Sequence, residues 1–266
     1  MVGKELRQWW RDPWRGLELR AALWTGLIIG VIGLIGQLPE VAPFAGVMAL
    51  LVIGMGGANM YGHDGTALWL TVVGQGRDTL RADVRGRQIA FALLAGPSTV
   101  VLSVLAVVAS GAGWAVPYVV SSLVVFLGVA AGLSILLSVV AVTPGVDPHL
   151  RVDANDAGDN QLQVWITLFA MPVLSSPTIG ALVWAGVQGV PWLAVPVALA
   201  NGSLAAWLLG RTAHLRLEKR LPETFTRIRY GKDVAAQAVP RSGGGLLDQL
   251  ERGALSTNVD TKPTGS

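Results

Sequence analysis

The chain has 266 residues, of which 52% are hydrophobic and only 14% charged, with a mean hydropathy of +0.53. Soluble domains carry about a quarter charged residues, so this composition excludes an ordinary soluble protein and predicts an integral membrane protein. The absence of cysteine excludes disulfides, thiol catalysis and cysteine-held metals, and the net charge of +3 is distributed along the chain in a way that predicts no nucleic-acid partner.

In chain order, residues 1–20 read as an amphipathic helix lying on a membrane surface. Leu6, Trp10, Trp14 and Leu17 share one face, Trp9 widens the aromatic band, and Lys4, Arg7 and Arg11 lie elsewhere. Asp12 and Pro13 form an N-cap and first-turn pair, so this helix is expected to break there and restart. Six apolar runs follow, each near or above the length of about 17 to 25 residues that crosses the hydrocarbon core. They cover Ala21–Leu38, Val41–Met60, Gln88–Ala109, Ala115–Thr143, Leu162–Ala185 and Pro191–Leu209, and predict an all-α polytopic fold over residues 21–215.

Gly26 and Gly30 in the first run, and Gly128 and Gly132 in the fourth, have the spacing that lets helix backbones approach, although glycine is frequent enough here for chance to supply it. Gly54, Gly56 and Gly57 loosen the second run just before the connector, and Asn59 adds a polar group there. Prolines at 97, 172, 177 and 196 favour kinks. With Ser175, Ser176 and Thr178, the fifth run reads as interrupted, which fits either a substrate path or a packing kink. Asn59, Ser175, Ser176, Thr178 and Asn201 are the candidate path residues.

Between the second and third runs lies the longest charged and patterned connector, residues 64–87. Asp64 is placed to cap a helix, and Gly65 follows it. Leu68, Trp69, Val72 and Val73 have helical spacing, and Arg77, Arg81 and Arg85 recur every four residues as a basic stripe beside Leu80 and Val84, with Arg87 at the end. The bland reading is a solvated basic loop; the aromatic-containing helix argues against it. Residues 144–160 read as an acidic loop whose Asp/Asn/Gly spacing fails the calcium-loop pattern. Residues 216–266 turn basic and then rich in Gly, Ser, Thr and Pro, as expected for a mostly disordered tail.

All 20 Lys and Arg fall on one side of an even six-span arrangement: five before the first run, four in the connector, Arg151, and ten from Arg211 onward. Under the positive-inside rule, both termini and the connector are cytoplasmic. No phosphate-cradling G-x-x-x-x-G-K-[ST] loop is present, and His63, His149 and His214 lack metal-ligand spacing. No enzyme activity, cofactor or metal is therefore expected. No Asp, Glu, Lys, Arg or His falls inside a predicted run, which weighs against a proton-coupled carrier.

Two stretches resemble one known family. Asn59 to Leu70, NMYGHDGTALWL, and Arg81 to Gln88, RADVRGRQ, are similar to the connector of type-2 ABC export permeases of the actinobacterial kind, supported by Lys4-Glu5-Leu6-Arg7 and Arg11-Asp12-Pro13. The six-span plan extends the likeness over roughly residues 4 to 215. The resemblance implies an elbow helix before the first span, carrying Leu6, Trp10 and Trp14. It also implies a coupling region over 64–87 that docks on an ATP-binding cassette subunit through Asp64, Gly65, Leu68, Trp69, Arg77, Arg81, Arg85 and Arg87. Many such relatives fuse two halves, whereas this chain has one, so a second permease half, of the same or a different chain, is implied as a partner beside the lipids of the plasma membrane. The alternative function is a membrane carrier not driven by ATP, or an assembly scaffold.

Overall fold

The computed structural model describes residues 1–36, 38, 40–64, 77–143 and 160–230, and every regular element among them is helical. Half of the connector, with Gly65, Leu68 and Trp69, lies outside the described residues, as do nearly all of the acidic loop and the tail beyond Tyr230.

The first twenty residues form two helices. Helix α1 (Val2–Arg11) stops at Asp12, whose backbone is extended and whose carboxylate accepts from the Trp14 N–H at 3.0 Å, with Pro13 in the first position of α2 (Pro13–Ile35). The cap expected at Asp12 is thus made, and it leaves α2 longer than hydropathy suggests. Short 3₁₀ turns at Ala42–Phe44 and Gly57–Asn59 flank α3 (Ala45–Gly56), and α4 (Met60–His63) completes the second span. Then come α5 (Arg77–Ser110), α6 (Val116–Val140), α7 (Gln161–Val187) and α8 (Ala194–Tyr230). Among the described residues, six helical segments are long and apolar enough to cross a membrane: Pro13–Ile35, Ala42–His63, Asp78–Ser110, Gly113–Val140, Gln161–Val187 and Pro191–Arg220.

Several expectations need correcting. The first and third spanning helices start at 13 and 78 rather than 21 and 88, which brings Arg15, Asp83 and Arg87 into them; all three are buried. The fifth span is not interrupted, because α7 runs unbroken through Pro172 and Pro177. Proline's φ is itself helical and its ring removes only one N–H, so a helix supported by neighbours continues through it. Pro196 sits in the first turn of α8, where no intrahelical donor is lost. Residues 216–230, assigned to the tail by composition, continue α8, with a break in helical geometry at Arg220 (φ −127°, ψ 24°).

The bundle is organised around α6, which packs against α3, α5, α7 and most extensively α8. Lipid is as apolar as leucine, so helices in a membrane associate through close packing and buried polar contacts rather than by hiding oil from water. The distribution follows that logic. Ser121, Ser134, Thr167, Ser175 and Thr178 are buried, while Trp24, Val104, Val108, Phe169, Val183 and Leu204 are exposed on the outer faces. A Cβ on Gly128 would stand 2.3 Å from the Gly202 carbonyl oxygen, so α6 and α8 touch backbone to backbone there. In the same way Gly26 faces Ala45 and Ala49, and Gly30 faces Ala45, so the glycine pairs picked out by spacing are both used.

At one end of the bundle the hairpins are tight. Gly111 (φ 65°) and Gly189 (φ 72°) take left-handed conformations, and the Val190 and Gly189 N–H groups bond back to Ala185 and Gly186 to close α7. The opposite end gathers α1, the start of α2, α4, the start of α5 and the middle of α8.

Gly128→Ala is expected to lower stability by about 1–3 kcal/mol, because the methyl meets backbone that cannot swing away. Gly180→Ala, which meets nothing within 4 Å, should leave stability unchanged or slightly higher. Thermal unfolding of the two variants in one detergent checks the contrast; equal losses would contradict the backbone contact.

Candidate functional site, a buried ion cluster

Helix α1 turns Glu5 and Trp9, one helical turn apart, toward the bundle, and both are buried. Asp12 and Pro13 then fix the start of α2 so that Arg15, in its first turn, points the same way. On α5, Asp83 and Arg87 are again one turn apart and share the inward stripe with Leu80 and Val84. Tyr61 and Asp64 come from α4 and the residue that follows it. Four segments of sequence thus deliver three carboxylates, two guanidiniums and a phenol to one dry place.

Asp64 is the hinge of the arrangement. Its Oδ1 accepts from Arg15 Nη2 at 2.8 Å, and its Oδ2 accepts from Arg87 Nη2, so one carboxylate holds both arginines. Arg15 Nη2 also donates to the Met60 carbonyl at 3.2 Å, and the guanidinium stands 5.9 Å from the Trp9 ring centre. Arg87 Nε donates to Asp83 Oδ2 at 3.0 Å, the same oxygen that accepts from the Tyr61 hydroxyl at 2.8 Å, and its guanidinium lies over the Tyr61 ring at 4.2 Å. Glu5 reaches both cations, with Oε2 3.4 Å from Arg87 Nη1 and 3.6 Å from Arg15 Nη1.

Around the cluster the chain is tied down further. The Asn59 side chain donates to the Thr143 carbonyl at 3.0 Å and accepts from the Thr143 N–H at 3.2 Å, and Gln163 donates to Thr143 Oγ1 at 3.0 Å. A Cβ on Gly62 would meet the Thr143 carbonyl, and one on Gly86 would meet Met1, so both glycines allow the close approach.

The charges do not balance. Three buried carboxylates face two guanidiniums, and burial without full pairing disfavours the charged form. Burial raises the Glu5 carboxyl above its usual 4.5, against the pull of Arg87, and the nearby Asp64 charge adds to the rise. Asp64 is buried too, but Arg87 and Arg15 outweigh that burial and hold it at about 2. Glu5 is therefore held less acidic than an exposed carboxyl, and Asp64 more acidic. Among the described residues no group of three or more His, Asp or Glu is arranged to hold a metal.

The residues singled out from sequence separate into distinct places. Asp64 and Arg87, expected on a partner-facing surface, are buried in the cluster, because each is the other's counter-ion. Arg81 and Arg85 are exposed on the opposite stripe of α5, and the side chain of Arg77 lies outside the described residues. In the expected elbow face Trp10 is 91% exposed, Leu6 and Trp14 are half-buried, and it is Trp9 that is buried, because the break at Asp12 prevents one continuous stripe. The candidate path residues do not converge. Asn59 is spent on Thr143, Asn201 bonds across to Thr178 Oγ1 at 3.1 Å and to the Leu174 carbonyl at 3.2 Å, Ser175 is buried, and Ser176 is exposed.

Sequence reasoning missed Glu5, Arg15, Tyr61 and Asp83 as a site. The available signal was the one-turn pairing of Asp83 with Arg87 and the presence of arginine two residues after a capped Asp-Pro start.

A raised carboxyl pKa means that folding favours the protonated form. Glu5 thus contributes full stability below its unfolded value near 4.5, and that contribution is lost as pH rises through its folded value. Glu5→Gln, which mimics the protonated acid, is expected to raise the melting temperature relative to wild type at pH 8 and to lose that advantage near pH 4. A variant less stable than wild type at pH 8 would show that the ionised Glu5 is a net support. The Asp64 contribution runs the other way, present above about 4 and lost only as pH falls toward 2.

Comparison of the chain with protein-family models, curated proteins and solved structures finds no match.

Proposed function

We propose that the chain is the transmembrane permease subunit of an ATP-binding-cassette exporter, moving a substrate out across the plasma membrane with ATP hydrolysed by a separate subunit. Both termini and the connector are cytoplasmic in this reading, a second permease half of the same or a different chain completes the path, and the chain itself binds no nucleotide. The observation that carries it is the ion cluster at the two ends of the connector. Residue 64 begins the connector and residues 83 and 87 lie at its end, and Asp64 and Arg87 are joined directly while Arg15 ties Asp64 to the first spanning helix.

That pinning supports a mechanical role. A force applied by a partner to residues 65–76 reaches the second and third spans together rather than dissipating in a loose loop, and Asp64 passes it on to α2 through Arg15. Rim charges mostly steer docking, whereas a buried aromatic anchor holds it. Trp69 is the anchor in this account, with Leu68 beside it.

One observation favours a second reading, a carrier not driven by ATP. The surplus buried carboxylate at Glu5 is a group able to exchange a proton, and buried ionisable residues in membrane proteins are common marks of ion-coupled transport. Its position at the end of the bundle, rather than midway across, makes it the weaker reading.

The test is export and ATP hydrolysis measured on the same correctly inserted protein, with and without an ATP-binding subunit. Hydrolysis is expected only with the subunit, and Trp69→Ala is expected to weaken the complex by about tenfold or more. Export that persists without any ATPase, or a Trp69→Ala variant that keeps both partner binding and export, would overturn the assignment.

A further inference from the structure

Helices α5 and α8 enclose an open groove of about 380 Å³ at the basic end of the bundle. Arg81 and Arg85 line one wall, Arg211 the other, and Trp207 lies beneath Arg211 with its ring centre 5.4 Å from the guanidinium. The floor is fixed. Gln88 donates to the Ala206 carbonyl at 2.8 Å, and Gly210 leaves room for that amide, since a Cβ there would meet it at 2.6 Å. Glu218 stands 3.9 Å from His214 at the rim, and among the described residues no carboxylate pairs with Arg81, Arg85 or Arg211.

Two features say what fills a groove lined by three guanidiniums. The first is depth. About 20 helical residues cross the hydrocarbon core. Counting from the tight hairpins, α5 back from Ser110 and α8 on from Ala194 reach the opposite boundary near residues 90 and 213, which places Arg85 and Arg211 at headgroup level. The second is the surface that leads away from the groove. Along α5 the exposed stripe runs Arg81, Arg85, Ile89, Leu93, and along α8 it runs Arg211, Trp207, Leu204, so both stripes change from cationic to apolar at the same level. A soluble anion would use the cations alone. A molecule with an anionic head and long apolar chains uses the whole surface.

We propose that this groove binds the phosphate of an anionic phospholipid from the leaflet on the basic side, with its acyl chains running along Ile89, Leu93 and Leu204. Guanidinium forks match phosphate oxygens, and Arg211, held over Trp207, is pre-oriented for that contact. The site is separate from the ion cluster, whose arginines face inward on the other side of α5.

The full-length chain, purified in mild detergent, is offered phosphatidylglycerol and phosphatidylcholine in equal amounts, and the lipids retained are counted by native mass spectrometry. The combined variant Arg81→Gln, Arg85→Gln and Arg211→Gln is compared with Arg7→Gln, Arg11→Gln and Arg20→Gln, which removes the same charge from exposed positions on the same side. At roughly fivefold per arginine near a headgroup, the groove variant is expected to lose phosphatidylglycerol preference by about tenfold or more, with the control close to wild type. If the groove variant does not keep the wild-type melting temperature, Arg211→Gln alone is used and is expected to lose roughly fivefold. Equal retention by groove variant and wild type, or equal loss in the control, overturns the proposal. So does release of the lipid by excess inorganic phosphate at constant ionic strength, which would make this a soluble-phosphate site. Loss of ATPase-subunit binding with lipid retention unchanged would make it a protein-docking face and overturn it too.

Discussion

A single carboxylate shared by two guanidiniums holds the basic end of this protein together. Asp64 is reached by Arg15 from the first spanning helix and by Arg87 from the third, and it sits itself at the end of the second. Remove it and, among the described residues, the two cations are left facing each other with Glu5, Asp83 and the more distant Asp12 to answer them. A buried ion pair gives little net stability over a well-packed apolar substitute, yet losing one partner costs several kcal/mol because the other stays buried and uncompensated. The cluster is therefore best understood as a device that fixes which segments meet. The aromatic faces of Trp9 and Tyr61 over the two guanidiniums add to that specificity, since they accept a flat cation in one orientation.

The rest of the bundle is built to leave that end well defined. Helix α6 forms a central post whose contacts are glycine to glycine and serine to carbonyl, as at Gly128 with Gly202 and at Ser134 with the Gly54 carbonyl, 3.1 Å away. Such contacts are short and directional, so they hold helices in register where lipid supplies no hydrophobic push. Just past the end of that post, Asn59 and Gln163 grip Thr143, which links the second, fourth and fifth spans next to the cluster. The polar network thus lies at one end, and backbone hydrogen bonds such as those of Gly189 and Val190 close a hairpin at the other.

The six spanning helices were legible in the sequence, because hydropathy depends on composition over long windows. Short-range geometry was legible too where a specific residue pair demands it, as with the Asp12 cap and the glycines at 26, 30, 128 and 132. The cluster was not. Hydropathy windows cut the first and third spans just short of Arg15 and Arg87, since a charged residue lowers the average even when a carboxylate neutralises it. No local pattern says that Glu5 and Arg87, 82 residues apart, will meet. The amphipathic reading of residues 1–20 chose Trp10 over Trp9 because it carried one stripe across the break expected at Asp12, and the serines and prolines of the fifth span suggested a path that the continuous helix α7 does not open. Charge alone also could not divide the arginines of the connector into inward Arg87 and outward Arg81 and Arg85; the packing of α5 does that.

The account rests on Asp64 and Arg87 acting as one unit, and a double-mutant cycle measures that directly. Stability would be compared for wild type, Asp64→Asn, Arg87→Gln and the double variant in the same detergent at pH 7. The account predicts that each single change costs about 3–5 kcal/mol and that the double change costs much less than their sum, a coupling of about 1 kcal/mol or more. Additive losses within about 0.5 kcal/mol would mean that the two residues stabilise the fold independently, and the shared carboxylate would not be the tie between the connector's two ends.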